Sequence, residues 1–70
     1  MRITFSDPSV VAEATEFFRR VECVAVVVSE NTIDVSLPGS FSEQQERGEI
    51  STYLQTWQAT HPGVSVEMLD

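Results

Sequence analysis

The apolar pattern of this chain predicts an α+β domain, an antiparallel sheet of four strands with two helices on one of its faces, in the order βαββαβ. Three observations carry that expectation. The stretch from Cys23 to Gly39, CVAVVVSENTIDVSLPG, reads as two strands joined by a tight turn. Before it, a short alternating run leads into a segment with helical periodicity. After it, a second helical segment leads into a second alternating run.

Each element has a local reason. From Arg2 to Ser6, Ile3 and Phe5 fall on one side and Arg2, Thr4 and Ser6 on the other, the pattern of a half-buried strand. Asp7-Pro8 opens the first helix: the aspartate accepts from free N–H groups of the first turn, and proline has no N–H to leave unpaired. Val10, Val11, Ala14, Phe17, Phe18 and Val21 then form one apolar stripe. Glu13, Glu16, Arg19 and Arg20 lie off it, with both arginines at the C-terminal end, where the helix dipole favours cations.

In the hairpin, a turn at Glu30-Asn31 sets Ser29 opposite Thr32, Val28 opposite Ile33, Val26 opposite Val35 and Val24 opposite Leu37. A slip of one residue would set valines against Thr32, Asp34 and Ser36. The expected core-facing residues of the second strand are therefore Val24, Val26 and Val28. Pro38-Gly39 ends the third strand. A capping box, Ser40 with Glu43 or Ser42 with Gln45, starts the second helix near residues 41 to 43.

That helix carries Ile50, Leu54 and Trp57 in line, with Tyr53 on the flank. Residues Glu43 to Glu49 have nothing to bury, and Gly48 weakens the helix by ~1 kcal/mol relative to alanine. This part is expected to be solvated, mobile or overhanging the sheet. His61-Pro62-Gly63 stops the helix, and Val64, Val66 and Met68 mark the last strand.

Two βα units around a central hairpin fit the ferredoxin-like plan, a two-layer sandwich with strand order 4-1-3-2 and both helices on one face. In that plan the open face shows Arg2, Thr4, Ser6, Cys23, Ala25, Val27, Asp34, Ser36, Ser65, Glu67 and Leu69. It has no aromatic on which a base could stack.

Size and charge narrow the function. Seventy residues make a single domain, 1-70, and a chain of this length buries only about 60% of the surface its unfolded form exposes. With one cysteine there is no internal disulfide, so a second subunit is the expected extra source of stability. Four basic and eleven acidic residues give a net charge of −7, which repels phosphate backbones and argues against nucleic-acid binding. No run approaches the ~20 apolar residues of a membrane span, and the opening MRITFSDP has no signal-peptide core. The expected compartment is a reducing cytoplasm.

The residues that could carry chemistry are few. Cys23 and His61 are the only cysteine and histidine, and nothing in the sequence places them together, so Cys23 reads as a structural thiol and His61 as a helix-end residue. Glu43, Glu46 and Glu49 read as a solvated helix face rather than a calcium loop. The glycines, at 39, 48 and 63, build no phosphate-binding loop. No enzyme activity, cofactor or metal is expected. The second strand stands out instead: the plan puts it at an edge, yet it is apolar on both faces and has no lysine or proline. Ala25, Val26 and Val27 are the expected interface, with a homodimer or an added partner strand as the occupant.

Asp7-Pro8-Ser9 resembles the Asp-Pro-Gly-like turn that opens the first helix of small-molecule-sensing ACT-type domains, with Ser9 in the place of the glycine. The resemblance implies a small ligand packed against Asp7, Pro8 and Ser9 at a dimer interface. Heavy-metal-associated domains share the element order but carry CxxC where this chain has Ser6-Asp7-Pro8-Ser9. Acylphosphatases share the topology, with an arginine and asparagine motif that has no counterpart here. The leading expectation is a small interaction or regulatory domain that works through an edge strand, and the alternative is a ligand sensor of the ACT kind.

Overall fold

The computed structural model describes residues 1–69. Its elements are β1 (Arg2–Phe5), a 3-10 turn (Pro8–Val10), α1 (Val11–Arg20), β2 (Val24–Ser29), β3 (Thr32–Ser36), α2 (Glu43–Ala59) and β4 (Val66–Leu69). The described strands form one antiparallel sheet in the order β2-β3-β1-β4, so β2 and β4 are its edges. Ile3 sits between Ile33 and Met68 in the central rows.

One face of this sheet packs on both helices. Ile3, Phe5, Cys23, Ala25, Ile33 and Val35 meet Val11, Ala14 and Phe18 of α1 and Ile50, Leu54 and Trp57 of α2 in a single core. Trp57 meets the Phe5 ring edge-on, with centroids 5.4 Å apart. Thr15 is also buried, and its hydroxyl donates back to the Val11 carbonyl at 2.7 Å, which satisfies it without a partner from another element.

The Asp7 carboxylate accepts from the Ser9 N–H at 2.9 Å, as a cap should, but it caps the 3-10 turn, and α1 proper begins at Val11. Of the two possible capping boxes, Ser42 with Gln45 is the one formed: Ser42 Oγ accepts from the Gln45 N–H, and Gln45 Oε1 accepts from the Phe41 N–H. The acidic opening of α2 is regular helix and mostly exposed, and Glu46 ties it down by accepting from the Leu37 N–H at 2.9 Å. Both Pro-Gly pairs make tight turns. Gly39 and Gly63 lie at φ 90° and 97°, and the residue after each donates to the carbonyl of the residue before the proline.

The hairpin corrects the expected register. The turn is at Glu30-Asn31 and Ser29 does face Thr32, but the ladder beyond is shifted by one: Val24 faces Ser36, Ala25 faces Val35, Val26 faces Asp34 and Val27 faces Ile33. A bulge between Val27 and Ser29 absorbs the extra residue. Cys23, just before β2, and Ala25 within it thus face the core, both buried, while Val24, Val26 and Val28 are about half exposed.

The cause lies at the end of α1. Glu22, at φ 68°, takes the left-handed conformation that usually calls for glycine. Its N–H bonds the Arg19 carbonyl, and the Cys23 N–H reaches back to the Phe18 carbonyl at 2.9 Å, the paired bonds of a Schellman cap. This cap turns Cys23 inward next to Phe18, and alternation then puts Ala25 on the same side. The helix end and the phase of the strand are thus consistent with each other.

Two outcomes check this. Ala25→Leu should lower stability by about 1–3 kcal/mol through overpacking, whereas Val26→Thr changes it by no more than about 0.5 kcal/mol. The opposite ranking in urea denaturation would restore the unshifted register. Glu22→Gly should raise the denaturation midpoint, by about 0.5–1 kcal/mol of stability, because the strained conformation then carries no Cβ penalty.

Candidate functional site

The direction of each backbone group on β2 follows from its neighbours. Val35 exchanges both backbone hydrogen bonds with Met1, its N–H donating to the Met1 carbonyl at 2.7 Å and its carbonyl accepting from the Met1 nitrogen at 2.9 Å. Its polar groups therefore face β1 and turn away from β2. Ala25, directly opposite, is in a non-hydrogen-bonded pair, and its N–H and C=O point out of the sheet edge. Val27, opposite Ile33, repeats the arrangement two residues on.

Arg19 makes this edge more than an open ladder. From the last turn of α1 its guanidinium donates to the Ala25 carbonyl at 3.0 Å. The sequence lacks lysine and proline in β2, and the guard comes from the neighbouring helix instead. Helical periodicity marks Arg19 only as an off-stripe cation; nothing in it indicates a reach to strand backbone.

The structure thus divides the three expected interface residues. Ala25 is 3% exposed and can offer only its backbone, whereas Val26 and Val27 are 53% and 50% exposed. Val24 and Val28, expected in the core, join them on the surface at 49% and 45%. The open face of the sheet near β2 therefore carries valines beside Asp34 and Ser36, in place of Cys23 and Ala25. Four half-exposed valines within five residues are an apolar strip on an edge strand, and that strand bears no charge.

A second feature lies between the helices. His61 stacks on Trp57, with centroids 4.0 Å apart and planes 10° from parallel. Its Nδ1 is 2.8 Å from the Trp57 carbonyl, and its Nε2 is 2.5 Å from Glu13 Oε1 on α1. The Thr60 hydroxyl is 2.9 Å from the same Nδ1 and 2.8 Å from the Trp57 carbonyl, so the ring meets acceptors at both nitrogens and a hydroxyl at one of them. The Trp57 carbonyl first, and then the Glu13 carboxylate, raise the His61 pKa above its ordinary value. These groups border an open groove of about 340 Å³ that also meets Glu16, Phe17 and Arg20. The residue expected at the helix end is there, and it additionally tethers α2 to α1.

Asp7, Pro8 and Ser9 stand at the start of the 3-10 turn. One Asp7 oxygen accepts from both the N–H and the hydroxyl of Ser9, at 2.9 and 2.7 Å, and these bonds hold its carboxyl below the usual range. That oxygen is committed to the turn. Cys23 is buried, and burial, reinforced by Glu49 and Glu46, pushes its thiol up, which keeps it protonated and unreactive. Among the described residues no three His, Cys, Asp or Glu side chains gather as a metal site, and no helix is long and apolar enough to cross a membrane.

No protein-family model matches the chain, and no curated protein or solved structure matches it. The functional reading therefore rests on the residues themselves.

The His61 tether has a measurable pH signature. Because the folded pKa is raised, the stability it adds is fully present below the unfolded value near 6.5 and is lost as pH rises through the folded midpoint. An NMR titration should give a His61 midpoint above 6.5 in the native protein and a lower one in Glu13→Gln. An unchanged midpoint in that variant would remove Glu13 from the account.

Proposed function

We propose that this domain acts by association, taking a further β-strand along its β2 edge, and that it is an interaction or regulatory module rather than an enzyme. One observation carries the reading: the uncharged strand β2 combines outward-facing backbone groups at Ala25 and Val27 with four valines about half exposed. Strand addition uses both, the backbone for affinity and the alternating side chains for selectivity. A domain of this size gains most from a partner, since its own core is small.

The ferredoxin-like plan is part of the same proposal. The order β2-β3-β1-β4 is 4-1-3-2 counted from the β4 edge, neighbouring strands are antiparallel, and both helices contribute to one core, all of which support it. A cytoplasmic setting agrees with the single buried thiol. The net charge of −7 speaks for a protein partner and against nucleic acid.

The test is Val27→Lys. A lysine on an edge strand discourages strand addition while leaving the β3 ladder intact. The native chain should sediment as a complex, alone or with its partner, and Val27→Lys as a folded monomer by circular dichroism. A complex that survives the lysine unchanged would refute association through β2.

A further inference from the structure

We propose that the strand received at this edge is β2 of a second copy, paired antiparallel about a two-fold axis through Val26. The inference rests on the edge-association reading and names its partner.

The outward backbone groups are self-complementary. Outward groups occur at Ala25 and Val27, two residues apart and symmetric about Val26. An antiparallel two-fold there sets Ala25 opposite Val27 of the second copy, and Val27 opposite its Ala25. Each pair exchanges two hydrogen bonds, so every outward N–H and C=O of both residues finds a partner. Ala25 is the small, buried residue and Val27 the exposed, larger one, so each pair sets a large side chain against a small one. Val26 meets its own counterpart on the open face as a non-hydrogen-bonded pair, the closer kind, and two half-exposed valines cover each other.

The charge pattern of the strand admits the same occupant. The guanidinium of Arg19 already lies on the edge at the Ala25 carbonyl, near the N-terminal end of β2, and Glu30 stands in the turn at its C-terminal end. Antiparallel pairing of identical strands brings these opposite ends together. The second copy's Val27 N–H takes over the Ala25 carbonyl, and the displaced Arg19 offsets the acids that meet at this end, Glu22 of its own chain and the incoming Glu30. Between those ends the strand bears no charge, so two chains of net charge −7 meet along a neutral seam.

Cysteine cross-linking tests the axis. Residues in a non-hydrogen-bonded antiparallel pair have Cα atoms about 4.5 Å apart, within disulfide range. Val26→Cys should therefore give a covalent dimer under mild oxidation. Val24→Cys should not, because the two Val24 positions would be separated by about 13 Å along the strands. The native chain, whose Cys23 is buried, is the control. The proposal expects a dimer by sedimentation at tens of micromolar, linked by Val26→Cys alone.

A dimer linked through Val24→Cys but not Val26→Cys overturns the axis. A native chain that stays monomeric at these concentrations overturns the second copy as occupant, yet leaves the edge available to a strand of another protein. A dimer that neither cysteine links and that Val27→Lys does not dissociate overturns the edge reading itself.

Discussion

The hydrogen bond from the Cys23 N–H to the Phe18 carbonyl is the constraint from which the surface of this domain follows. It closes the end of α1 and fixes the direction in which the chain enters β2. Because side chains alternate along a strand, fixing Cys23 inward fixes Ala25 inward and Val24 and Val26 outward. The energy of such a cap is small, but it is local and forms with the helix, whereas the choice among strand registers is made across a hairpin. A bulge at Val28 lets the preferred turn survive alongside the imposed phase. The exposed valine strip is thus a consequence of how a helix ends.

Glu22 shows what that arrangement costs. A left-handed non-glycine residue is strained, and glycine would serve the cap better. Small Ala25 in turn keeps side-chain bulk low where β2 lies under α1. The same end of α1 supplies Arg19, whose bond to the Ala25 carbonyl occupies one outward group of the edge. An arginine on a carbonyl is a guard of a particular kind. It satisfies the acceptor in the isolated domain, yet a rotation of its own side chain frees that acceptor for an incoming N–H. A proline in the strand would close the edge permanently.

The sequence revealed the class of the fold because its strongest signals are local. The alternation at Ile3 and Phe5, the stripe from Val10 to Val21, the Ser42–Gln45 cap (one of two that the sequence offers) and the two Pro-Gly turns each have a cause within a few residues. The register of β2 departs from the apolar pairing expected strand against strand because that pairing leaves out the preceding helix end. Glu22 gave no warning, since glutamate is not the residue expected there. Arg19 and Glu13 escaped for a related reason. Their roles depend on partners six and forty-eight residues away, and periodicity says only that they lie off the buried stripe.

The interhelical groove is the other place where chemistry could be sought, and its own side chains explain it. Glu13 and His61 face each other across it, the imidazole lies flat on Trp57, and the Trp57 carbonyl takes the second ring nitrogen. The Nε2 of His61 joins α2 to α1, and its Nδ1 is held by the end of α2 itself. A group that must leave its structural partners to meet a ligand gives up the bonds that orient it. At β2 the balance is the reverse. The groups at Val27 face outward from the ladder, and the valines around them are already half in water. Binding there adds hydrogen bonds and buries apolar surface, and of the domain's interior bonds it displaces only the one from Arg19.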